Sequence, residues 1–276
     1  MVISQLVRET AKRLSENPLF EAEQMVMAVC NLDRTELVLK GRNDVSEEEI
    51  EKVNDMVLRR LKGEPLQYII GECEFMSLKF YTERGVLIPR SDTETLVEKI
   101  LDFTDENEEY KALDICTGTG CIGISIANYR KKAEVKLLDI SDIAINLAKR
   151  NIILNNVNDR VFAEKEDILK DYPKEKYDII VSNPPYIESD VIDTLQVEVK
   201  DYEPHLALDG GKDGLIFYRR IVDIAPDMLN KDGILAFEIG YNQGSKVLEI
   251  MKKSFYNIQI IKDLCGNDRV VIGIRR

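Results

Sequence analysis

The stretch KALDICTGTGCIGISIANYR, Lys111–Arg130, decides the fold. Its first six residues read as a buried strand. Its centre is a tight turn carrying Gly118, Gly120 and Gly123, and the remainder is an apolar run suited to a helix lying on a sheet. The same alternation continues to the end of the chain. EVKLLDI is a second strand followed by the helix SDIAINLAKRNIILNN, RVFAEKEDI is a third strand and YDIIVSN a fourth. LIFYRRIVDIAPDML is a helix, GILAFEIG a fifth strand and NQGSKVLEIMKKS another helix. The closing runs IQIIKDL and RVVIGIRR lie near enough in sequence to pair antiparallel. Strands that alternate with helices imply an α/β, doubly wound parallel sheet, and ligands of such sheets bind beyond the carboxyl ends of the strands.

The first third differs. Ile3, Leu6, Val7, Thr10 and Leu14 recur at helical spacing, and Met25, Val26 and Val29 repeat the pattern after Pro18. Ser46–Glu49 spells a capping box for a helix through Ile50, Val53, Val57 and Leu61 that stops at Gly63, before Pro65. Residues 1–65 are therefore expected to form a small helical bundle. Residues 66–90 are expected to form a β-hairpin linker turning at Met76–Ser77, and residues 91–276 the α/β domain. Ser91–Glu94 spells a second capping box.

A net charge of −12 argues against a nucleic-acid backbone as the main partner, because residues 1–90 also carry 13 basic against 16 acidic side chains. Nowhere does an apolar run approach the ~20 residues that span a bilayer. Five cysteines without framework spacing suggest reduced thiols and a cytoplasmic setting, and one histidine, His205, leaves no metal-ligand set.

The residues just past each strand are the ones to inspect. After the first strand, Cys116, Thr117, Gly118, Thr119 and Gly120 form the glycine turn. After the second comes Asp139, nineteen residues beyond Gly120, a distance at which a carboxylate accepts both hydroxyls of an adenosine ribose. Asp139 could equally cap the next helix, although Ser141 competes for that place. The third strand ends at Asp167 and Ile168, suited to an adenine amine and to covering the base. Cys116 occupies the first glycine of the dinucleotide fingerprint and no second nucleotide half follows, so S-adenosylmethionine and NAD are separated by the fourth strand. That strand ends on Asn183-Pro184-Pro185-Tyr186.

This motif resembles the Asn/Asp-Pro-Pro-aromatic signature of class I S-adenosylmethionine-dependent methyltransferases acting on planar nitrogen. GEPLQYIIGECEF (Gly63–Phe75), VLIPRSDTETLVE (Val86–Glu98) and YEPHLALDGGKDGL (Tyr202–Leu215) are similar to one branch of them, the release-factor glutamine methyltransferases. The resemblance implies a Rossmann-like seven-stranded domain with an antiparallel final strand, preceded by the helical bundle and hairpin. It departs at Cys116, where the family has glycine, and at Ser91, where it has proline. A cysteine there is expected to sit in extended backbone.

Chemically, the Asn183 side-chain oxygen and the Pro184 carbonyl would accept the two N–H groups of a substrate amide. Pro184 and Pro185 would stiffen the pair, and the Tyr186 ring would stack on the amide plane. The resemblance implies that S-adenosyl-L-methionine is the cofactor, held by Cys116–Gly120, Asp139, Asp167, Ile168 and Asn183, and S-adenosyl-L-homocysteine the product. It implies that the substrate is the glutamine of the Gly-Gly-Gln loop in class 1 peptide-chain release factors. Phe80 is a candidate wall against that loop, or simply hairpin packing; Arg90 either braces the pocket entrance or pairs with an acid. No metal, membrane or direct nucleic-acid partner is expected. The alternative reading is an adenine-N6 methyltransferase, which this chain lacks the basic and stacking surface to support. A non-enzymatic adenosine-binding module is a further one, against which the intact Asn183 and Tyr186 count.

Overall fold

Apolar residues at helical spacing build the first unit, Met1–Glu72, in the computed structural model, which describes all 276 residues. It contains α1 (Ile3–Ala11), α2 (Pro18–Cys30), α3 (Arg34–Leu39), α4 (Glu47–Arg60) and α5 (Leu66–Ile70). Ile3, Leu6, Met25, Val26, Val53 and Val57 form its core. The Ser46 capping box is present, and Asp33 forms a second one with Glu36 at the start of α3. Leu66–Ile70 had been expected to start the linker. They are helical instead, because Leu66 reaches the core of this unit.

The second unit, Cys73–Arg276, opens on a hairpin of β1 (Glu72–Phe75), whose first residue closes the first unit, and β2 (Leu78–Tyr81). Met76 and Ser77 at its tip both have left-handed backbone, φ 51° and 56°, as a two-residue turn matched to strand twist requires. The main sheet then contains β3 (Tyr110–Ile115), β4 (Ala133–Asp139), β5 (Val161–Lys165), β6 (Tyr177–Ser182), β7 (Leu229–Glu238), β8 (Phe255–Lys262) and β9 (Asp268–Arg275). Its order is β5-β4-β3-β6-β7-β9-β8, all parallel except β9, which runs antiparallel between β7 and β8. This is the seven-stranded sheet expected from the sequence.

Helices cover both faces. On one, α6 (Glu94–Asp102), α7 (Cys121–Tyr129) and α8 (Asp142–Leu154) bury Leu96, Ile100, Ile124 and Ile145. On the other, α11 (Ile216–Met228) and α12 (Gly244–Met251) bury Tyr218, Ile221, Val247 and Met251. The short helices α9 (Val197–Lys200) and α10 (His205–Leu208) lie in the long connection after β6. No helix is long and apolar enough to cross a membrane.

The capping box spelled by Ser91–Glu94 does not form. Ser91–Thr93 make a single 3-10 turn before α6, without a side-chain cap. Glu94 instead accepts the Met76 N–H at the hairpin tip, and Thr93 is buried.

Strand order reverses beside β3, so the crevice between β3 and β6 is the topological switch point. Register makes this exact in residues. Ile115 lies opposite Leu138 on one side and Ser182 on the other, and Ser182 lies opposite Phe237. One step further along each strand, Cys116, Asp139, Asn183 and Glu238 are therefore delivered side by side.

Candidate active site

Beyond that row lies a cavity of about 190 Å³. Its apolar walls include Ile115, Leu138, Ile168 and Phe217, and Asp139, Asp167 and Asn183 supply polar groups.

The glycine turn is built from below. Asp114, fully buried in β3, accepts the Thr117 hydroxyl at 2.6 Å and the Gly123 N–H at 3.0 Å. Burial pushes its carboxyl up to about 7. Thr117 is thus turned down into the protein, while the Thr119 carbonyl accepts the Asn151 side-chain amide at 2.9 Å. The Thr117 N–H bonds the Leu138 carbonyl, tying the turn to β4.

Cys116 is not in extended backbone as expected: its φ is +60°. A left-handed conformation at a residue with a Cβ costs about 1–2 kcal/mol. Glycine would escape that strain and lose about 0.5–1 kcal/mol of its own to backbone freedom. Loss of the thiol's contacts with the core beneath takes back part of the difference. Cys116→Gly is therefore expected to hold or raise Tm by up to ~4 °C, and Cys116→Val to lower it, in thermal unfolding. A glycine variant less stable than its parent would show that the thiol contacts outweigh the strain.

Asp139 is half-buried. Its carboxylate accepts the Gly118 N–H at 2.9 Å and the Ser141 N–H at 2.9 Å. Burial raises its pKa, and these bonds work against the shift. Ser141 caps α8 through the Ala144 N–H, so Asp139 is not that cap. Asp167 stands across the cavity, where a hydrogen bond from Lys170 at 2.8 Å lowers its pKa. Ile168 is buried in the wall beside it.

The Asn183–Tyr186 segment is clamped by chain that follows it. Gly210 sits directly on its backbone: a Cβ added there would meet Tyr186 Cα at 2.7 Å and the Pro185 carbonyl oxygen at 2.9 Å. The Ile187 N–H bonds the Leu208 carbonyl, and the Gly210 N–H returns a bond to Ile187 at 2.8 Å. Gln243 donates to the Tyr186 carbonyl at 3.0 Å and to the Gly214 carbonyl at 3.2 Å. Its own oxygen accepts the Gly240 N–H. The YEPHLALDGG stretch, expected as a loop beside the site without a catalytic role, is thus the seat of the motif.

The structure brings Asn183, Pro185, Asp139, Asp167, Ile168 and Cys116–Thr119 onto one cavity; Gly120, expected there too, instead precedes α7 against Ile124, Leu137 and Ala148. Other expected site residues lie elsewhere. Phe80 is fully buried and packs edge-on against Phe75, centroids 6.1 Å apart, so it belongs to the hairpin core and walls nothing. Pro184 is buried and does not line the cavity. Tyr186 does not line it either; its hydroxyl lies 3.5 Å from Glu238 Oε1.

Three further residues stand around the cavity, of which Thr93 and Glu238 escape a reading of the sequence. Glu203, buried, pairs with Arg90 at 2.6 Å and accepts the Ile88 N–H at 3.4 Å, holding the Val86–Arg90 rim. Arg90 therefore does both things expected of it, lining the cavity and pairing with an acid. Thr93 accepts a bond from Asn183 Nδ2 at 3.4 Å. Glu238 ends β7 with 2% of its surface exposed, and burial raises its carboxyl to about 7. A charge inside an apolar strand, as in KALDIC and GILAFEIG, was the available signal for Asp114 and Glu238.

Comparison with known proteins follows the same division. Residues 5–71 match the PrmC N-terminal domain family and residues 79–210 the methyltransferase small domain family. The release factor glutamine methyltransferase of Clostridium acetobutylicum is 42% identical over 96% of this chain and 94% of its own. That of Clostridium botulinum is 45% identical over 91% and 90%. Among solved structures, a methyltransferase from Pyrococcus furiosus shares the fold, with a TM-score of 0.51 at 20% identity over 80% of this chain and 96% of its own.

Proposed function

The chain belongs to the release factor glutamine methyltransferases, and from that premise we propose its reaction and the residues that perform it. The methyl group passes from S-adenosylmethionine to the side-chain nitrogen of glutamine in the Gly-Gly-Gln loop of a class 1 peptide-chain release factor. The observation that carries this reading is the placement of Asn183 on the same cavity as Asp139.

The cavity fits an adenosyl sulfonium. Asp139 offers a half-buried carboxylate at the edge of apolar walls, and Gly118 leaves room, since a Cβ there would meet nothing nearer than Val86 Cγ1 at 3.7 Å. When bound, the cofactor supplies an electrophilic methyl group. Asp139 would hold the ribose hydroxyls, Asp167 the adenine amine, and Ile168 would cover the base.

The chain's remaining task is to aim a weak nucleophile, because an amide nitrogen shares its lone pair with the carbonyl. Asn183 Oδ1 accepts one of its N–H groups, aiming the nitrogen and favouring the positive charge it gains. The proton leaves after transfer, so no general base is needed. Consistently, the one histidine, His205, is exposed and does not line the cavity.

Two measurements test this reading. Labelled S-adenosylmethionine, offered with release factor and unmethylated DNA side by side, should label the Gly-Gly-Gln glutamine; label on adenine would overturn the substrate. Asp139→Ala should weaken cofactor binding about 10- to 100-fold in calorimetric titration, the worth of hydrogen bonds to a charged acceptor. An unchanged Kd would remove Asp139 from the cofactor site.

A further inference from the structure

The loop after β5, which carries Asp167 and Ile168, is held by α11, a helix far along the chain. Three side chains of α11 meet this loop or the cavity it walls. Phe217 lines the cavity. The Arg220 Nε–H donates to the Ile168 carbonyl at 2.9 Å across 52 residues of sequence. Asp227 accepts the Tyr172 hydroxyl at 3.0 Å. Spaced three and seven residues apart, the three share one side of the helix. The Arg220 guanidinium also lies 5.6 Å from the centre of the Tyr172 ring, and the Lys174 ammonium 3.9 Å from it.

Within the loop, hydrogen bonds converge on Asp167. Its carbonyl accepts the Lys170 and Asp171 N–H groups at 2.8 and 3.0 Å, and its side chain accepts the Leu169 N–H at 3.2 Å. None of these bonds engages the Ile168 carbonyl. That carbonyl belongs to a residue only 5% exposed, and the Arg220 guanidinium is what meets it. An acceptor left unpaired beside apolar walls is unfavourable, so without Arg220 the turn would rotate to find water. Asp167 and Ile168 are consecutive, so that movement would displace both.

We infer that Arg220 is a positioning residue for adenine recognition: by holding the Ile168 carbonyl, it keeps the Asp167 carboxylate and the Ile168 side chain in place at the base. The inference rests on the reading of Asp167 as partner of the adenine amine and adds the contact that fixes it. Arg220 itself does not line the cavity. Its neighbour Arg219 has no share in the loop, being exposed and paired with Asp213.

The bond needs a donor at the right reach and not a charge. Glutamine places its amide nitrogen as many bonds from Cα as arginine places Nε, so it keeps the donor. Methionine fills a similar length with none.

The test is calorimetric titration of the full chain with S-adenosylhomocysteine and with S-inosylhomocysteine, in which a carbonyl replaces the adenine amine. The parent chain should prefer the adenosyl ligand about 10- to 100-fold, the worth of a hydrogen bond to a charged acceptor. Arg220→Met should weaken the adenosyl ligand about 10-fold and the inosyl ligand by less than about threefold, so that the preference shrinks. Arg220→Gln should restore affinity and preference, and Arg219→Ala should alter neither. In methylation of release factor, Arg220→Met should raise KM for S-adenosylmethionine while kcat at saturation stays within about twofold. A parent chain that binds both ligands alike would overturn the Asp167 reading and the inference with it. A discriminating parent beside a folded Arg220→Met protein that discriminates equally well would overturn the inference alone. So would failure of Arg220→Gln to restore the preference. Arg220→Ala is the second donor-free variant and decides the matter if Arg220→Met does not fold.

Discussion

Asn183→Ala should lower kcat by about 10²–10³-fold, the loss seen when one preorganised polar contact to a transition state is removed. The variant keeps the strand, the two prolines and the seat formed by Gly210 and Gln243. Asp139, the glycine turn and Ile168 stay in place on the cofactor's side of the cavity, so Kd for S-adenosylmethionine should move by less than about threefold, under 0.7 kcal/mol. KM for the release factor should also change little, because the missing contact is one to the reacting nitrogen and strengthens as charge develops there. Single-turnover methylation and a calorimetric cofactor titration separate these quantities. Retained turnover would refute amide positioning by Asn183, whatever happened to binding.

Gly210→Ala should be nearly as damaging for a different reason. The three atoms its methyl group would strike, Tyr186 Cα, Gly214 Cα and the Pro185 oxygen, all belong to backbone and lie within 2.9 Å. No side chain can rotate aside, so the motif itself must shift. Overpacking of this kind costs about 1–3 kcal/mol, or roughly 2–12 °C in Tm for a unit of this size. A displacement near 1 Å in a positioning group costs about 100-fold in rate. Both readouts should therefore fall together in one variant. If Tm fell and kcat did not, the segment would tolerate movement and the clamp would be structural only.

Much of this was legible in the sequence because it is local. Alternating strands and helices, the glycine turn, Asp139 past one strand and Asn183 past another need only short spacings and the rule that sites lie at strand ends. The rest depends on partners far along the chain. Glu238 is 52 residues from Tyr186, and Gln243 is 57. Sequence marks Glu238 as an odd charge in an apolar strand, yet only register reveals that it emerges next to Asn183. Ser91-Asp-Thr-Glu94 spells a cap, but Thr93 is buried where it accepts a bond from Asn183, and Glu94 is drawn to the hairpin tip. Phe80 supports two readings in sequence, wall or hairpin packing, because an aromatic in a hairpin gives no sign of which face it turns inward. At Cys116, residue size suggested tolerance, while the backbone angle that decides strain is invisible in composition.

The clamp on the motif also sets an order of events during synthesis. Asn183–Tyr186 leave the ribosome well before Gly210, Gly214 and Gln243, and β9, the strand wedged between β7 and β8, is the last of the sheet to appear. At about 5–20 residues per second, several seconds separate the motif from the residues that hold it still. A nascent chain ending before Gln243 would carry Asn183 and both prolines but not the arrangement that gives them purpose. Catalytic competence should therefore arrive late and abruptly, as the C-terminal strands join the sheet.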